Sequence, residues 1–407
     1  MPSPAPRALP HRPVPRGRRG TLLASLVAAV TAAALASCST QPPATPPSPT
    51  GGPSGGPAPT TGEPPTSPPG SAPATTRARP ASDVATNLSV PWSVVVLPDG
   101  SALVSERDTA TVKRVVPGSP PQSLGRVPGV VPNGPSGGEG GLLGLAVNAK
   151  DYAADPVVYA YYSAESDNRV AAIPISPSGS LGTPKVILTG IPRGQSHNGG
   201  RLAFGPDGFL YVCTGDSGER AFAQNLTSLG GKILRVTTAG VAAPGNPFGD
   251  SRVWSYGHRN VQGMVWDSKG TMYATEFGQN TWDELNIIRP GANYGWPMVE
   301  GLARREGLVD PVRQWRTDEA SPSGLTIGAD GALYMAALRG QSLWRIPLGP
   351  DGRVGEPQRL LEGTYGRLRD VVPGPDGRLW VLTNNTARGT PRAGDDRVVS
   401  LDPATFP

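Results

Sequence analysis

Two histidines stand where a side chain could do chemistry. His197 lies in Gln195-Ser-His-Asn-Gly-Gly-Arg201 and His258 in Tyr256-Gly-His-Arg-Asn-Val-Gln-Gly263, while the third, His11, sits near the N-terminus. A loop histidine that titrates near neutrality can take a proton from a substrate hydroxyl. The glycines beside His197 also let a ligand approach the backbone closely. Zinc is a poor match, because two histidines and one available cysteine do not make the nitrogen- and sulfur-rich sets that it prefers. Oxygen donors are better supplied. Glu276-Phe-Gly-Gln-Asn-Thr-Trp-Asp-Glu-Leu-Asn286, followed by Gly291-Ala-Asn-Tyr-Gly-Trp-Pro297, packs carboxylates, amides and turn carbonyls of the kind that bind calcium. A structural histidine and a turn of solvated acids are the plain alternatives at these places. Gly137-Gly-Glu-Gly-Gly-Leu-Leu-Gly144 lacks the Gly-Lys-Ser/Thr ending of a phosphate-binding loop, and no serine sits in a nucleophile elbow.

These residues need elements to hold them, and the body of the chain repeats one. A turn followed by a strand recurs as Leu97-Pro-Asp-Gly-Ser-Ala-Leu-Val-Ser105, Gly205-Pro-Asp-Gly-Phe-Leu-Tyr-Val-Cys213 and Asp267-Ser-Lys-Gly-Thr-Met-Tyr-Ala-Thr275. It returns as Gly328-Ala-Asp-Gly-Ala-Leu-Tyr-Met-Ala336 and Gly374-Pro-Asp-Gly-Arg-Leu-Trp-Val-Leu382, with a degenerate copy at Asp155 to Tyr162. Glycine after aspartate accepts positive φ without steric cost, which suits a hairpin. Six copies, with no long amphipathic helix, predict an all-β six-bladed β-propeller of four-stranded antiparallel blades. Function then belongs on loops at one mouth of the ring.

The N-terminal region reads differently. Basic residues from Arg7 to Arg19 precede the apolar stretch Thr21 to Ala36, which closes on Leu35-Ala36-Ser37-Cys38. That ending resembles a lipobox, so residues 1–37 are expected to be a lipoprotein signal peptide and Cys38 the lipidated residue. Residues 38–82, rich in Pro, Ser, Thr and Gly, bury too little to offset ordering entropy and are expected to be a disordered linker. The folded domain is expected over 83–407, held at the outer face of the cell membrane through the lipid alone. The first 80 residues hold seven arginines and one glutamate, leaving 30 bases and 31 acids beyond them. A body so nearly neutral argues against nucleic-acid binding. Cys213, in an apolar strand, is expected to be a buried thiol without a disulfide partner.

Taken together, the motifs resemble the soluble quinoprotein aldose sugar dehydrogenases, which use pyrroloquinoline quinone (PQQ) on a six-bladed propeller. The resemblance runs from about Asn87 to the C-terminus. It rests on Pro91-Trp92, Glu106-Arg107, the 137–144 glycine run, Ser196-His-Asn-Gly-Gly-Arg-Leu202 and Leu229-Gly-Gly-Lys-Ile-Leu-Arg235. Gly257-His-Arg-Asn260, Asp283-Glu-Leu-Asn286, Asn293-Tyr-Gly-Trp-Pro297 and Gly366-Arg-Leu-Arg-Asp370 follow in family order. It implies His197 as the general base for an aldose C1 hydroxyl and Arg259 as the stabiliser of charge on the reduced quinone. It also implies that Glu139, Arg259, Asn260, Arg339, Arg367 and Arg369 bind the cofactor. One calcium would sit on carbonyls of Gly278 and Gln279, and a second on Glu284 and the carbonyl of Tyr294. The sugar and the electron acceptor are left open.

The chain departs from the family at several of these places. Glu139 stands where glucose-oxidising members have Gln, Arg339 where a lysine is expected, and Ser196 where some members have Asp. Phe277 and Gln279 replace polar and proline positions in the calcium turn. A calcium-dependent propeller hydrolase of the lactonase kind and a non-catalytic sugar-binding propeller are the competing readings, since fold does not dictate function.

Overall fold

The computed structural model describes residues 81–406, which form six four-stranded antiparallel sheets. The signal peptide, Cys38 and nearly all of the linker expected from the sequence lie outside the described residues. The inner strands of the six blades are Pro91–Val96, Leu142–Ala146, Leu202–Phe204, Val261–Trp266, Pro322–Ile327 and Leu368–Pro373. Blades 1 to 5 are each built from four consecutive strands. Blade 6 takes three from the C-terminal end, and its outer strand is Ser82–Ala85, paired antiparallel with Val398–Leu401. The domain boundary expected at residue 83 therefore falls inside a strand. The six-bladed propeller expected from the repeat is the fold.

Each turn-and-strand phrase marks the same place, the hairpin into the second strand of its blade. Gly100, Gly208, Gly270, Gly331 and Gly377 all take left-handed φ values between 72° and 83°, as the turn requires. The aspartate has a further task. Asp207 accepts from Tyr211 Oη at 2.9 Å and Arg235 Nε at 2.8 Å, and Asp330 repeats this with Tyr334 at 3.0 Å and Arg345 at 2.9 Å. One carboxylate thus ties the turn to the second and third strands of its blade.

The core is divided among the seams between blades. Six apolar clusters join residues of neighbouring blades, five of them across one seam and one reaching from Trp92 of blade 1 through blade 2 to blade 3. Leu103 of blade 1 shares a cluster with Ile173 of blade 2, and Val94 of blade 1 shares one with Leu382 of blade 6 across the closing seam. Each buried aliphatic side chain contributes about 1.5–3 kcal/mol, so the alternating apolar pattern of the strands is what holds the ring shut. Cys213 is fully buried, as expected, with its Sγ 3.8 Å from Met264 Sδ.

Candidate active site

His197 sits on the loop that crosses from the outer strand of blade 2 to the inner strand of blade 3. The loop is fixed before it meets any ligand. Asn198 Oδ1 accepts from Gly194 N and Asn168 Nδ2, both at 3.0 Å, and its Nδ2 donates to Gly194 O. A Cβ on Gly199 would lie 2.6 Å from Cys213 O, which explains that glycine. His197 itself takes φ 53°, a left-handed conformation costing a residue with a side chain about 1–2 kcal/mol. Two bonds hold it there: its N–H donates to Glu139 Oε2 at 2.9 Å, and its carbonyl accepts from Ser217 N at 3.0 Å.

The imidazole is gripped at both nitrogens. Nδ1 lies 2.8 Å from Asp216 Oδ1, and Nε2 lies 2.8 Å from Arg259 Nη2. Because Asp216 accepts, Nδ1 carries the hydrogen and Nε2 presents its lone pair. Asp216 is buried and also accepts from Gly218 N and Trp296 Nε1. Burial pushes its carboxyl upward, but these donors, led by His197, outweigh burial and hold it below the usual range. Ser196, just before His197, thus leaves no gap: the carboxylate that holds the imidazole comes from blade 3 instead.

Arg259 is aimed by its neighbours. Its Nε and Nη2 donate to Gln279 Oε1 at 3.1 and 2.9 Å, and Nη1 donates to Phe277 O at 3.0 Å. Burial draws its pKa down, against the pull of Asp216 and Glu276. Asn260 Oδ1 accepts from Gly199 N at 3.0 Å, while its buried Nδ2 has no partner. His258 is structural. It is fully buried between Ser255 Oγ and Glu276 Oε2 and stacks on Tyr294 at 4.7 Å.

Beside this group opens a cavity of about 250 Å³ whose lining includes Arg107, Arg339, Arg367, Arg369 and Arg388 against one acid, Glu139. Arg107 is neutralised by Asp108, and Arg388 reaches Glu139 at 3.7 Å. Arg367 and Arg369 have no carboxylate partner among the described residues, and the buried Nε of each donates to nothing. Burial, then Arg367 and Arg107, drive the pKa of Arg369 far down. Arg339 is exposed at the rim. Arg369 and Arg201 both lie over the Trp92 ring, at 5.6 and 4.7 Å.

The proposed cation positions rest on carbonyls. Gly278 O and Gln279 O accept no hydrogen bond from the described residues. Glu284 pairs across its strand with Glu276, which reaches Tyr294 through the stacked His258. Burial, then Glu276, push Glu284 up to about 8. Beside it the buried Asn286 Oδ1 has no donor. No group of three or more His, Cys, Asp or Glu side chains is placed to hold a metal among the described residues, so a cation here needs those carbonyls.

Asp216 carries this geometry, yet no local motif exposed it, and Trp296 stood in a quoted phrase with no role assigned to it. A weak signal existed for Asp216. Acids also close the second strands of blades 1 and 4, as Glu106 and Glu276, and Asp216 stands just beyond the equivalent strand of blade 3.

A six-bladed ring that carries a carboxylate-held histidine beside an arginine-lined cavity defines a class of oxidoreductase. The chain belongs to the glucose/sorbosone dehydrogenase family, which it matches over residues 88–390. A PQQ-bound aldose sugar dehydrogenase from Streptomyces coelicolor is 51% identical with a TM-score of 0.76, covering 79% of this chain and 98% of that one. An oxidoreductase from Thermus thermophilus described as a glucose dehydrogenase is 41% identical, with a TM-score of 0.72 and coverage of 79% and 99%. The aldose sugar dehydrogenase YliI of Escherichia coli is 29% identical over 335 residues, 74% of this chain and 88% of that one.

Proposed function

We propose that this chain oxidises the C1 hydroxyl of aldose sugars to lactones, using PQQ with calcium. The observation that carries the reading is the Asp216–His197–Arg259 string beside a cavity in which Arg367 and Arg369 have no carboxylate partner among the described residues. The residues suit the cofactor. Buried, unpartnered donors on Arg367, Arg369 and Asn260 match an acceptor-rich anion, and planar forks suit carboxylates. Arg367, Arg369 and Arg339 would hold the cofactor's carboxylates, with Glu139, Arg259 and Asn260 around the rest. Calcium would sit on the carbonyls of Gly278 and Gln279, and a second ion on Glu284 and the carbonyl of Tyr294. When bound, PQQ supplies the acceptor for hydride.

The chain's own residues supply the rest. A sugar hydroxyl that takes the place of Arg259 Nη2–H at His197 Nε2 meets its lone pair, which takes the hydroxyl proton as C1 gives up its hydrogen with the electron pair. Asp216 holds Nδ1–H and balances the imidazolium charge. Arg259, held by Gln279 and Phe277, offers a fixed donor to oxygen that gains negative charge, the kind of electrostatic help that needs no reorganisation.

The test is dye-linked oxidation of an aldose panel by residues 81–407 with calcium, with and without PQQ, beside His197→Ala. Quinone-dependent activity lost in the variant is expected. Equal turnover without quinone, or an unaffected variant, would overturn the reading. The same proposal places the protein at the outer face of the membrane through lipid on Cys38. Cys38→Ser should move it from the membrane fraction to the soluble one, and unchanged partitioning would contradict the anchor.

A further inference from the structure

The turn joining the second and third strands of blade 4 is built around two carboxylates that the proposed reaction does not touch. Asp283 Oδ1 accepts from Gly278 N at 2.9 Å, and its Oδ2 accepts from Ser321 N at 2.6 Å. The next four amides all donate to one atom, Glu300 Oε1: Gln279 at 2.7 Å, Asn280 at 3.1 Å, Thr281 at 3.0 Å and Trp282 at 3.1 Å. Glu300 comes from a separate loop, beyond the third strand of the blade. The turn closes tightly on it. A Cβ on Gly278 would stand 1.9 Å from Trp282 O and 2.7 Å from Glu300 Oε1.

Successive N–H groups that converge on one anion form a concavity, and the peptide dipoles behind them are then fixed in direction. The acceptors of the same turn serve other partners. Phe277 O and Gln279 Oε1 hold Arg259, whose Nη2 meets His197. Gly278 O and Gln279 O have no donor among the described residues. One carboxylate therefore holds the shape of a segment whose other acceptors include the proposed cation ligands and the clamp on Arg259.

We propose that Glu300 is a positioning residue for this site: by collecting the amides of residues 279–282 it sets the Gly278 and Gln279 carbonyls for a divalent cation and the Gln279 side chain for Arg259. The inference rests on the calcium reading given above. Groups behind a metal's direct ligands commonly change affinity 10- to 100-fold when removed. Glu300→Gln keeps an acceptor oxygen but loses the charge, and about tenfold weaker binding is expected. Glu300→Ala removes both, and about a hundredfold is expected.

The experiment is calorimetric titration of the purified apoprotein with calcium, repeated with terbium by luminescence, for the wild type and both variants. Glu306→Gln, an exposed acid outside the turn, controls for loss of charge alone and should bind like wild type. Circular dichroism melting separates a collapsed fold from a displaced turn, and Glu300→Gln carries the test if Glu300→Ala does not fold. In the reconstituted enzyme, kcat should fall while the sugar KM changes less than threefold, because Arg259 rather than sugar binding is disturbed. Wild-type affinity retained by a folded Glu300→Gln and Glu300→Ala would overturn the positioning role alone. A wild-type protein that binds neither ion would overturn the cation reading and this inference with it.

Discussion

Replacing Asp216 by Asn tests whether the histidine works as part of a unit. The change is nearly isosteric and leaves an oxygen for Trp296 Nε1 or for His197 Nδ1–H, but it removes the charge that balances an imidazolium. The side chain of Asp216 is 1% exposed, so water does not screen that charge. A hydrogen bond to a charged group in such a place is worth about 1.5–3 kcal/mol. At about 1.4 kcal/mol per decade this predicts a 10- to 150-fold loss in kcat. The sugar KM should change little, because the interaction strengthens only as the proton arrives. The assay is steady-state dye reduction with saturating cofactor, set beside His197→Ala and the double variant. Residues that act together lose activity non-additively, so the double variant should be no slower than His197→Ala alone. A kcat within threefold of wild type for Asp216→Asn, or losses that multiply in the double variant, would refute the reasoning.

The arginine-lined cavity proposed to hold the cofactor yields two further tests. Glu139→Gln removes a negative charge among the arginines and keeps an acceptor for His197 N, so PQQ should bind about tenfold tighter. Like charges about 10 Å apart at an effective dielectric of 20 repel by roughly 1.5 kcal/mol, and an absorbance titration with equal or weaker affinity would contradict this. Arg369→Met relieves a buried, partly unsatisfied cation; the apoprotein should melt a few degrees higher while PQQ binding is lost, and a lower melting temperature would count against it. The acids of blade 4 predict a pH dependence. Burial raises Asp283 to about 6 and Glu284 to about 8. From about pH 5 to 8 the folded chain holds protons that the unfolded chain has released, so apoprotein stability should fall as pH rises. Calcium should flatten that slope, as should Glu284→Gln without calcium; denaturant melts showing stability that rises over this window would oppose it.

The fold was legible because its repeating signal is local. An Asp-Gly turn followed by an alternating strand needs no distant partner to be recognised, and it marks the second strand of each blade. Short strands such as Leu202–Phe204 and Gln358–Leu360 carry too few residues for a pattern. Ser82–Ala85 lay hidden at the edge of the linker because its partner is at the other end of the domain. The site divides in the same way. His197, Arg259, Arg367 and Arg369 stood in recognisable phrases. Asp216 meets His197 only through the packing of a loop on a blade, and Glu300 gains its role from amides 18 to 21 residues earlier. Gln279 was visible as a carbonyl, whereas its side chain's hold on Arg259 depends on how the turn closes. Arg388, which spans to Glu139 from 249 positions away, had no local signal at all.

The pairing of Ser82–Ala85 with Val398–Leu401 also has a mechanical side. The ring is fastened by a clasp at its perimeter, in the strand position farthest from the axis. A pull applied at the N-terminal end of that strand is borne first by its own ladder, at the rim. The loops that carry His197 and Arg259 lead into blades 3 and 4, and Arg369 lies on the inner strand of blade 6, three strands in from the clasp. These residues therefore feel the load only after the clasp has parted. Assembly runs under the same constraint. The ring cannot lock until its last strand has met its first, a contact between opposite ends of the domain of the kind that slows folding. A protein held by its N-terminal end would thus keep its working mouth intact under strain that opens the edge.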